Sequence, residues 1–231
     1  ESLDIGNTQL NAQGRTDAWF IGLFPNLQSL NIAGNGLVNL HGIEMLRWLR
    51  EIDASNNQLQ DVAMLGNFKE LQSVNLAGNN TLPGMMVAPI VGNNLNLINL
   101  NVNGIQIGGL YSLGLAMGGT NNRPALRSLE IANTGMQDAN GFNFLAMLPN
   151  LARLNVAGNK IDNLSGLYGR TNLRELDLSN NPLFEVGMLY QMNYLNWLNL
   201  AEDTNVPCWQ LDGIQSNLPQ TKVIRPTSCR K

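Results

Sequence analysis

Charged residues, cysteine and histidine are scarce in this chain of 231 residues, and each scarcity excludes a class of function. Lysine and arginine total 14 and form no basic stripe, which argues against binding to nucleic acid. No run of about 18 apolar residues occurs, so no segment is predicted to insert into a membrane. The single histidine, His41, belongs to no nucleophile–base constellation, and no residue spacing is typical of a metal site. We therefore expect no catalysis, no cofactor and no metal.

One pattern recurs nine times: Leu-x-x-Leu-x-Leu-x-x-Asn-x-Leu. The copies begin at Leu3 (truncated), Leu27, Leu49, Leu71, Leu95, Leu126, Leu151, Leu173 and Leu195. Within each copy, the Leu-x-Leu alternation is the two-residue period of a short strand with one buried face. One unit cannot bury that face alone, so the units must stack. The sequence predicts a solenoid with nine strands in one parallel sheet.

The asparagine of each copy is predicted to lie in the turn after the strand. Its amide both donates and accepts, so it can satisfy backbone groups that the turn removes from water. We predict a ladder of these side chains, formed by Asn35, Asn57, Asn79, Asn103, Asn159 and Asn181, with Thr8, Thr134 and Asp203 in the remaining copies. Behind the ladder, apolar residues recur at every third position, which favours 3₁₀ turns and extended segments for the outer wall.

The two cysteines, Cys208 and Cys229, both follow the last copy of the repeat. They could be two free thiols or a disulfide. Their placement around apolar residues beyond the last repeat favours the disulfide, because the exposed end of a solenoid must be capped. A disulfide also indicates an oxidising compartment, and hence a secreted or cell-surface protein. The chain starts at Glu1 inside a predicted strand without a signal peptide, so we expect a processed protein or a piece of a longer one.

These repeats resemble the leucine-rich repeat superfamily over residues 1–203. The 22-residue copies contain the pattern Asn-x-(Leu/Ile)-x-(Asp/Asn/Glu)-(Val/Leu)-x-x-Leu, as in residues 57–65 and 159–167, and are similar to the internalin-like subclass of bacterial surface proteins. The segment from Pro207 to Cys229 is similar to disulfide-closed C-terminal caps in secreted proteins of this superfamily. The resemblance implies an α/β solenoid in which a concave parallel sheet faces a convex wall. We expect about nine coils in residues 1–203 and a cap in 204–231. Recognition of a protein by the concave face is also implied.

The third, fifth and seventh positions of each copy should point outward from the sheet. The fifth and seventh positions are polar or small throughout, which repeat stacking alone could explain. The third position varies most and reads Ser29, Glu51, Ser73, Leu97, Ser128, Arg153, Glu175 and Trp197. We expect Glu51, Leu97, Arg153, Glu175 and Trp197 to bind a partner, since aromatic and arginine side chains dominate interface energies. Alternatively, Trp197 only shields the last coil beneath the cap.

A second candidate patch lies on the return path between strands. Met85 and Met86 precede a long excursion, residues 106–124, which contains Tyr111 and Met117 among five glycines. An apolar bulge containing methionine is typical of an adaptable binding surface. The same residues could instead form a small satellite core beneath a long loop.

Three hypotheses about function remain open at this point. The first is a non-catalytic, adhesion-type recognition module that binds a host or neighbouring-cell surface protein or glycan through the concave face. The second is a structural spacer in a larger surface protein. The third is a cytosolic regulatory scaffold, against which the cysteine pair is the main objection.

Overall fold

The computed structural model describes residues 1–14, 16–107, 125–137, 142, 145–169 and 172–229. Ten strands in this part of the chain form one sheet, in which they follow one another in chain order and pair in parallel. They are β1 (Ser2–Asp4), β2 (Ser29–Asn31), β3 (Glu51–Asp53), β4 (Ser73–Asn75), β5 (Asn99–Asn101), β6 (Ser128–Glu130), β7 (Arg153–Asn155), β8 (Glu175–Asp177), β9 (Trp197–Asn199) and β10 (Lys222–Ile224). The solenoid is confirmed, and the expected count of nine strands was one too few.

Each strand has three residues because only the Leu-x-Leu core of each copy alternates between the two faces. The central residues face inward and stack directly across strands, as Leu30, Ile52 and Val74 do. The flanking residues face outward. The buried leucines and other apolar residues of successive coils form one continuous core along the array. This stacking is what makes a three-residue strand stable.

The wall opposite the sheet consists mainly of short 3₁₀ helices, as the three-residue period predicts. Those described are Leu10–Gln13, Trp19–Leu23, Ile43–Met45, Ala63–Asn67, Gly84–Val87, Ser165–Leu167, Gly187–Gln191 and Thr227–Cys229. The longer return path between β4 and β5 also contains α1 (Ala88–Asn93), with Pro89 in its first turn. Proline is favourable there because the first turn of a helix has no partner for its N–H.

The asparagine ladder joins each coil to the next. Asn57 shows the full set of bonds: its Oδ1 accepts from the N–H groups of Asn35 at 3.1 Å and Leu37 at 2.9 Å. Its Nδ2 donates to the carbonyl oxygens of Ile32 and Ala54, both at 3.0 Å. The side chain is 5% exposed. One buried amide therefore replaces water for backbone groups of two coils.

The ladder contains Asn35, Asn57, Asn79, Asn159 and Asn181, but the placement of Asn103 in it was wrong. β5 pairs Asn99 with Ser73 and Asn101 with Asn75, so Ile105 occupies the ladder position and Asn103 lies outward in the seventh position. The segment Leu95-x-Leu97 fits the repeat in two registers, and the structure buries Leu97 rather than Leu95. The fully buried side chain of Ile105 has no polar atom, and it interrupts the ladder.

One position in each turn has a left-handed backbone. It is occupied by Asn7, Gly34, Asn56, Gly78, Gly104, Asn133, Gly158, Asn180 and Glu202. Glycine and asparagine tolerate this conformation, whereas a long side chain is strained in it. Neighbouring coils also pack closely: a Cβ atom on Gly78 would lie 2.3 Å from Oδ1 of Asn56. Glu202 departs from this pattern.

The C-terminal segment closes the array with α2 (Cys208–Asn217) and then adds β10 to the sheet. The structure bonds Cys208 to Cys229, with their Cα atoms 5.4 Å apart. Gln210, 2% exposed, joins α2 to the preceding coil: its Oε1 accepts from the Val186 N–H at 2.7 Å. Its Nε2 donates to Glu185 at 3.0 Å. The predicted disulfide is therefore part of a docked structure that covers the last coil.

Candidate functional site on the concave face of the sheet

The face of the sheet that points away from the core carries two columns of side chains within the strands. The third column, first residue of each strand, is Ser2, Ser29, Glu51, Ser73, Asn99, Ser128, Arg153, Glu175, Trp197 and Lys222. The fifth column, last residue of each strand, is Asp4, Asn31, Asp53, Asn75, Asn101, Glu130, Asn155, Asp177, Asn199 and Ile224. We call this surface the concave face.

The fifth column is held by hydrogen bonds within the solenoid. Asp53 accepts from the Ser55 N–H at 3.0 Å and the Ser55 hydroxyl at 2.6 Å through Oδ1. Its Oδ2 accepts from the Asn75 amide of the next strand at 2.9 Å. Asp177, Ser179 and Asn199 repeat the arrangement with distances of 3.0, 2.6 and 3.1 Å. These bonds end the strands and join their neighbours, which supports repeat stacking as the reason for this column's composition.

The third column differs, because its large side chains stand above the sheet. Arg153 lies between two carboxylates: its Nε is 3.0 Å from Glu130 and its Nη1 is 3.4 Å from Glu175. The Arg153 side chain is still 57% exposed, and that of Glu175 47%. Neighbouring carboxylates therefore position the guanidinium without removing it from solvent. Exposed ion pairs of this kind contribute little to stability but restrict the geometry of the groups.

Trp197 lies beside Glu175 on one side and Lys222 on the other. It is half-buried rather than fully exposed. Because β10 follows it in the sheet, Trp197 is not in the last strand. Its apolar ring therefore lies in the third column between strands that carry Glu175 and Lys222.

Leu97 does not belong to the concave face, contrary to the expectation from the sequence. It is 3% exposed and packs in the core as the first leucine of its copy. Asn99 takes the outward third position in that coil, paired with Ser73 and Ser128. The same shift moves Asn101 to the fifth column. The remaining predicted residues, Glu51, Arg153, Glu175 and Trp197, are brought together on one face.

The second candidate patch is described only in part. Met85 is 70% exposed, whereas Met86 packs against the core. Tyr111 and Met117 lie outside the described residues. Elsewhere in the described ranges, no group of three or more His, Cys, Asp or Glu side chains is arranged to hold a metal ion.

Comparison with known proteins identifies the repeat. A model of the family described as "Leucine rich repeat" matches residues 124–183. The chain is a leucine-rich repeat solenoid. No curated protein matches it.

Solved structures share this leucine-rich repeat fold. An internalin from Listeria monocytogenes superposes with a TM-score of 0.66 at 18% identity, over 87% of this chain and 61% of its own length. A leucine-rich repeat protein of Leptospira interrogans gives 0.64 at 19% identity, over 88% and 56%. A plant peptide hormone receptor, solved in complex with RGF2, gives 0.63 at 19% identity, over 96% and 35%. This chain thus spans a little under two thirds of the internalin, just over half of the Leptospira protein and about a third of the receptor.

Sequence reasoning missed two features of this leucine-rich repeat surface. Lys222 was overlooked because the segment Lys222-Val223-Ile224 does not match the repeat pattern. The Glu130–Arg153 ion pair was overlooked because these residues lie in different columns and are 23 positions apart. Alignment of Leu97, rather than Leu95, with Leu71 would have placed Asn99 in the third column and excluded Asn103 from the asparagine ladder.

Proposed function

We propose that this chain is a non-catalytic recognition module that binds a protein partner through its concave face. The observation that carries the proposal is the contrast between the two columns. Fifth-column polar groups are used in buried or part-buried hydrogen bonds within the solenoid. In the third column, Arg153 and Glu175 make only exposed ion pairs and Glu51 one exposed hydrogen bond of 3.5 Å, and Trp197 lies in the same column. Side chains that repeat stacking does not require are available for a partner.

A rigid array suits this role. The strands and the ladder fix the positions of the third-column residues before a partner arrives, so little conformational entropy is lost on binding. Arg153 and Trp197 are the residue types that most often dominate interface energies. Asn99 takes the place that the sequence assigned to Leu97. The outer patch around Met85 remains a second, weaker candidate surface.

A secreted or cell-surface location is part of the proposal. The Cys208–Cys229 disulfide supports it, because disulfides persist in oxidising compartments. The same bond disfavours a cytosolic regulatory scaffold. In the described part of the chain, no helix has the length and apolar character needed to cross a membrane. In such a location the partner would be a host or neighbouring-cell surface protein or glycan, bound in an adhesion-type contact.

The fold of the plant receptor, which was solved in complex with RGF2, is compatible with recognition by a leucine-rich repeat surface. At 19% identity this likeness concerns the fold alone.

The test uses a displayed library of random peptides selected on the immobilised protein. A photo-crosslinking amino acid is placed at Asn99 or Ser128 on the concave face, and at Asp162 or Phe184 on return segments as matched controls. We expect the selected peptides to cross-link from the concave positions only. Trp197→Ala should weaken their binding tenfold or more while the circular dichroism spectrum is unchanged.

Cross-linking from Asp162 or Phe184 alone would overturn the concave assignment. Loss of binding in Tyr111→Ala and Met117→Ala, but not in Trp197→Ala, would place recognition on the outer patch. Selection that yields no binder would favour the structural spacer.

A further inference from the structure

The excess of negative over positive charge in this chain lies on the concave face. Its two columns contain six of the 17 carboxylates: Asp4, Glu51, Asp53, Glu130, Glu175 and Asp177. They contain two of the 14 basic side chains, Arg153 and Lys222. The whole chain has a formal net charge of −3, so the rest of it is close to neutral. The acidity is therefore a property of one surface.

The carboxylates of this surface form two separate groups. β3 carries Glu51 and Asp53, and β8 carries Glu175 and Asp177 at the same two positions. We call these the β3 pair and the β8 pair. Between them, the outward positions of β4 and β5 carry only serine and asparagine. On β6 and β7 the charge of Glu130 is matched by Arg153, which also reaches Glu175 of the β8 pair at 3.4 Å.

The two pairs have the same local construction. The fifth-column carboxylates, Asp53 and Asp177, are fixed by a serine hydroxyl at 2.6 Å and by the amide of an asparagine on the next strand. The third-column carboxylates of the two pairs are more exposed. Glu51 is exposed and lies 3.5 Å from the Ser29 hydroxyl, and Glu175 is half exposed beside Arg153. Each pair thus combines a fixed negative charge with a side chain that can reach a partner.

The spacing between the pairs sets a length for what they can bind. Five steps from β3 to β8, at about 4.8 Å each, separate the pairs by roughly 24 Å. An extended chain advances about 3.3 Å per residue, so roughly seven residues cover this distance. The floor next to the β3 pair carries only the small third-column residues Ser73, Asn99 and Ser128, which leave room for a chain to cross the strands. Arg153, on β7, is held against the sheet side by Glu130 and Glu175.

We propose that the partner contributes an extended basic segment that crosses the strands, with two clusters of Lys or Arg side chains about seven residues apart. One cluster lies at the β3 pair and the other at the β8 pair. Trp197, next to Glu175, provides an aromatic face for the second cluster, where a cation above the ring is attracted. This inference rests on the proposed function and specifies the chemistry of its partner.

The test compares two synthetic peptides of identical composition that contain two Arg-Arg pairs in a Gly/Ser background. In one the pairs begin seven residues apart, and in the other three. At 50 mM salt we expect the wider spacing to bind at least about tenfold more tightly, because only this peptide engages both carboxylate pairs at once. Raising the salt to 300 mM should remove most of this difference.

Matched variants assign the effect to the two pairs. Glu51→Gln and Glu175→Gln should each reduce the preference for the wider spacing at least about threefold, whereas Asp162→Gln, on a return segment, should leave it unchanged. Equal affinity for the two peptides, or equal effects of Glu51→Gln and Asp162→Gln, would overturn the inference.

The random library separates this inference from the proposed function. Selected peptides that cross-link to Asn99 or Ser128 but show no excess of Lys and Arg would refute the inference of a basic segment. The same result would still support recognition by the concave face. Peptides that cross-link only to return segments would end both.

Discussion

Asp203 replaces asparagine in the last position of the ladder. Its Oδ1 accepts from the Asn181 N–H at 2.7 Å, but within the described structure its Oδ2 is buried without a hydrogen-bond partner. The residue has no solvent exposure. Burial, with smaller effects of Asp177 and Glu202, raises the pKa of this carboxyl from 3.8 to about 7, although the Asn181 N–H opposes the shift. The folded protein therefore holds this proton more tightly than the unfolded chain.

This shift predicts how stability depends on pH. Asp203 supports folding most below about pH 4, and its contribution is lost as pH rises through about 7. Between pH 6 and pH 8 we expect the free energy of unfolding to fall by about 1 kcal/mol because of this group. In Asp203→Asn that fall should disappear, since the amide can donate as Asn181 does to the Val156 and Leu178 carbonyls. Urea titrations of both proteins at pH 6 and pH 8 measure this change in the free energy of unfolding.

The converse variant, Asn181→Asp, should create a second buried carboxyl and steepen the pH dependence. If Asp203→Asn and the unchanged protein lose equal stability between pH 6 and pH 8, Asp203 is ionised without penalty and the prediction is wrong.

Glu202 has a φ of +65°, a conformation that the other coils give to glycine or asparagine. Because a left-handed residue with a side chain costs about 1–2 kcal/mol, Glu202→Gly should stabilise the protein by roughly 1 kcal/mol. The measurement belongs at pH 5, where the charge of Glu202 has less influence on a protonated Asp203. Glu202→Gln, which removes the charge but keeps the side chain, is the control. Equal stability of the two variants would attribute the effect to charge rather than backbone.

At the scale of the elements, the strand register determines which asparagines belong to the buried ladder and which lie on the surface. Asn57→Ala should leave buried N–H and carbonyl groups of two coils without a partner. Each such group costs about 1–3 kcal/mol, so the loss of unfolding free energy should be several kcal/mol. Asn103→Ala is the matched control, because Asn103 is partly exposed and accepts from the Ala132 N–H at the edge of the concave face. We expect at most about 1 kcal/mol there. Equal losses in chemical denaturation would contradict the register.

The strands could be predicted because Leu-x-Leu alternation and the stacking it requires leave few alternatives. The third column followed from the same period, except in one coil. Leu95 and Leu97 are both leucines at an acceptable spacing, and only burial distinguishes them: Leu95 is 59% exposed and Leu97 is 3% exposed. Contacts that depend on side-chain conformation, such as Arg153 with Glu130, have no periodic signal and required the structure.

At the scale of the whole molecule, the cap determines how the array ends. The disulfide closes a loop with a sequence separation of 21, for which the chain-entropy model gives about 3 kcal/mol. The double variant Cys208→Ser, Cys229→Ser should lose about this much stability. Amide exchange should accelerate first in α2 and β10, whose contacts run through Gln210 and the β9 pairing. Unchanged exchange in α2 would mean that packing alone holds the cap.

The interruption of the ladder at Ile105 has a mechanical consequence. On one side, Asn35, Asn57 and Asn79 join their coils through buried amides. On the other, Asn159 and Asn181 do so through amides, Thr134 through its hydroxyl and Asp203 through its carboxyl. At Ile105 the ladder position offers only hydrocarbon contact, which resists separation weakly and without direction. If the two ends of the molecule are pulled apart, the array should therefore give way first at this coil. Under such tension the array would yield as two blocks, with the β3 carboxylate pair in one block and the β8 pair in the other.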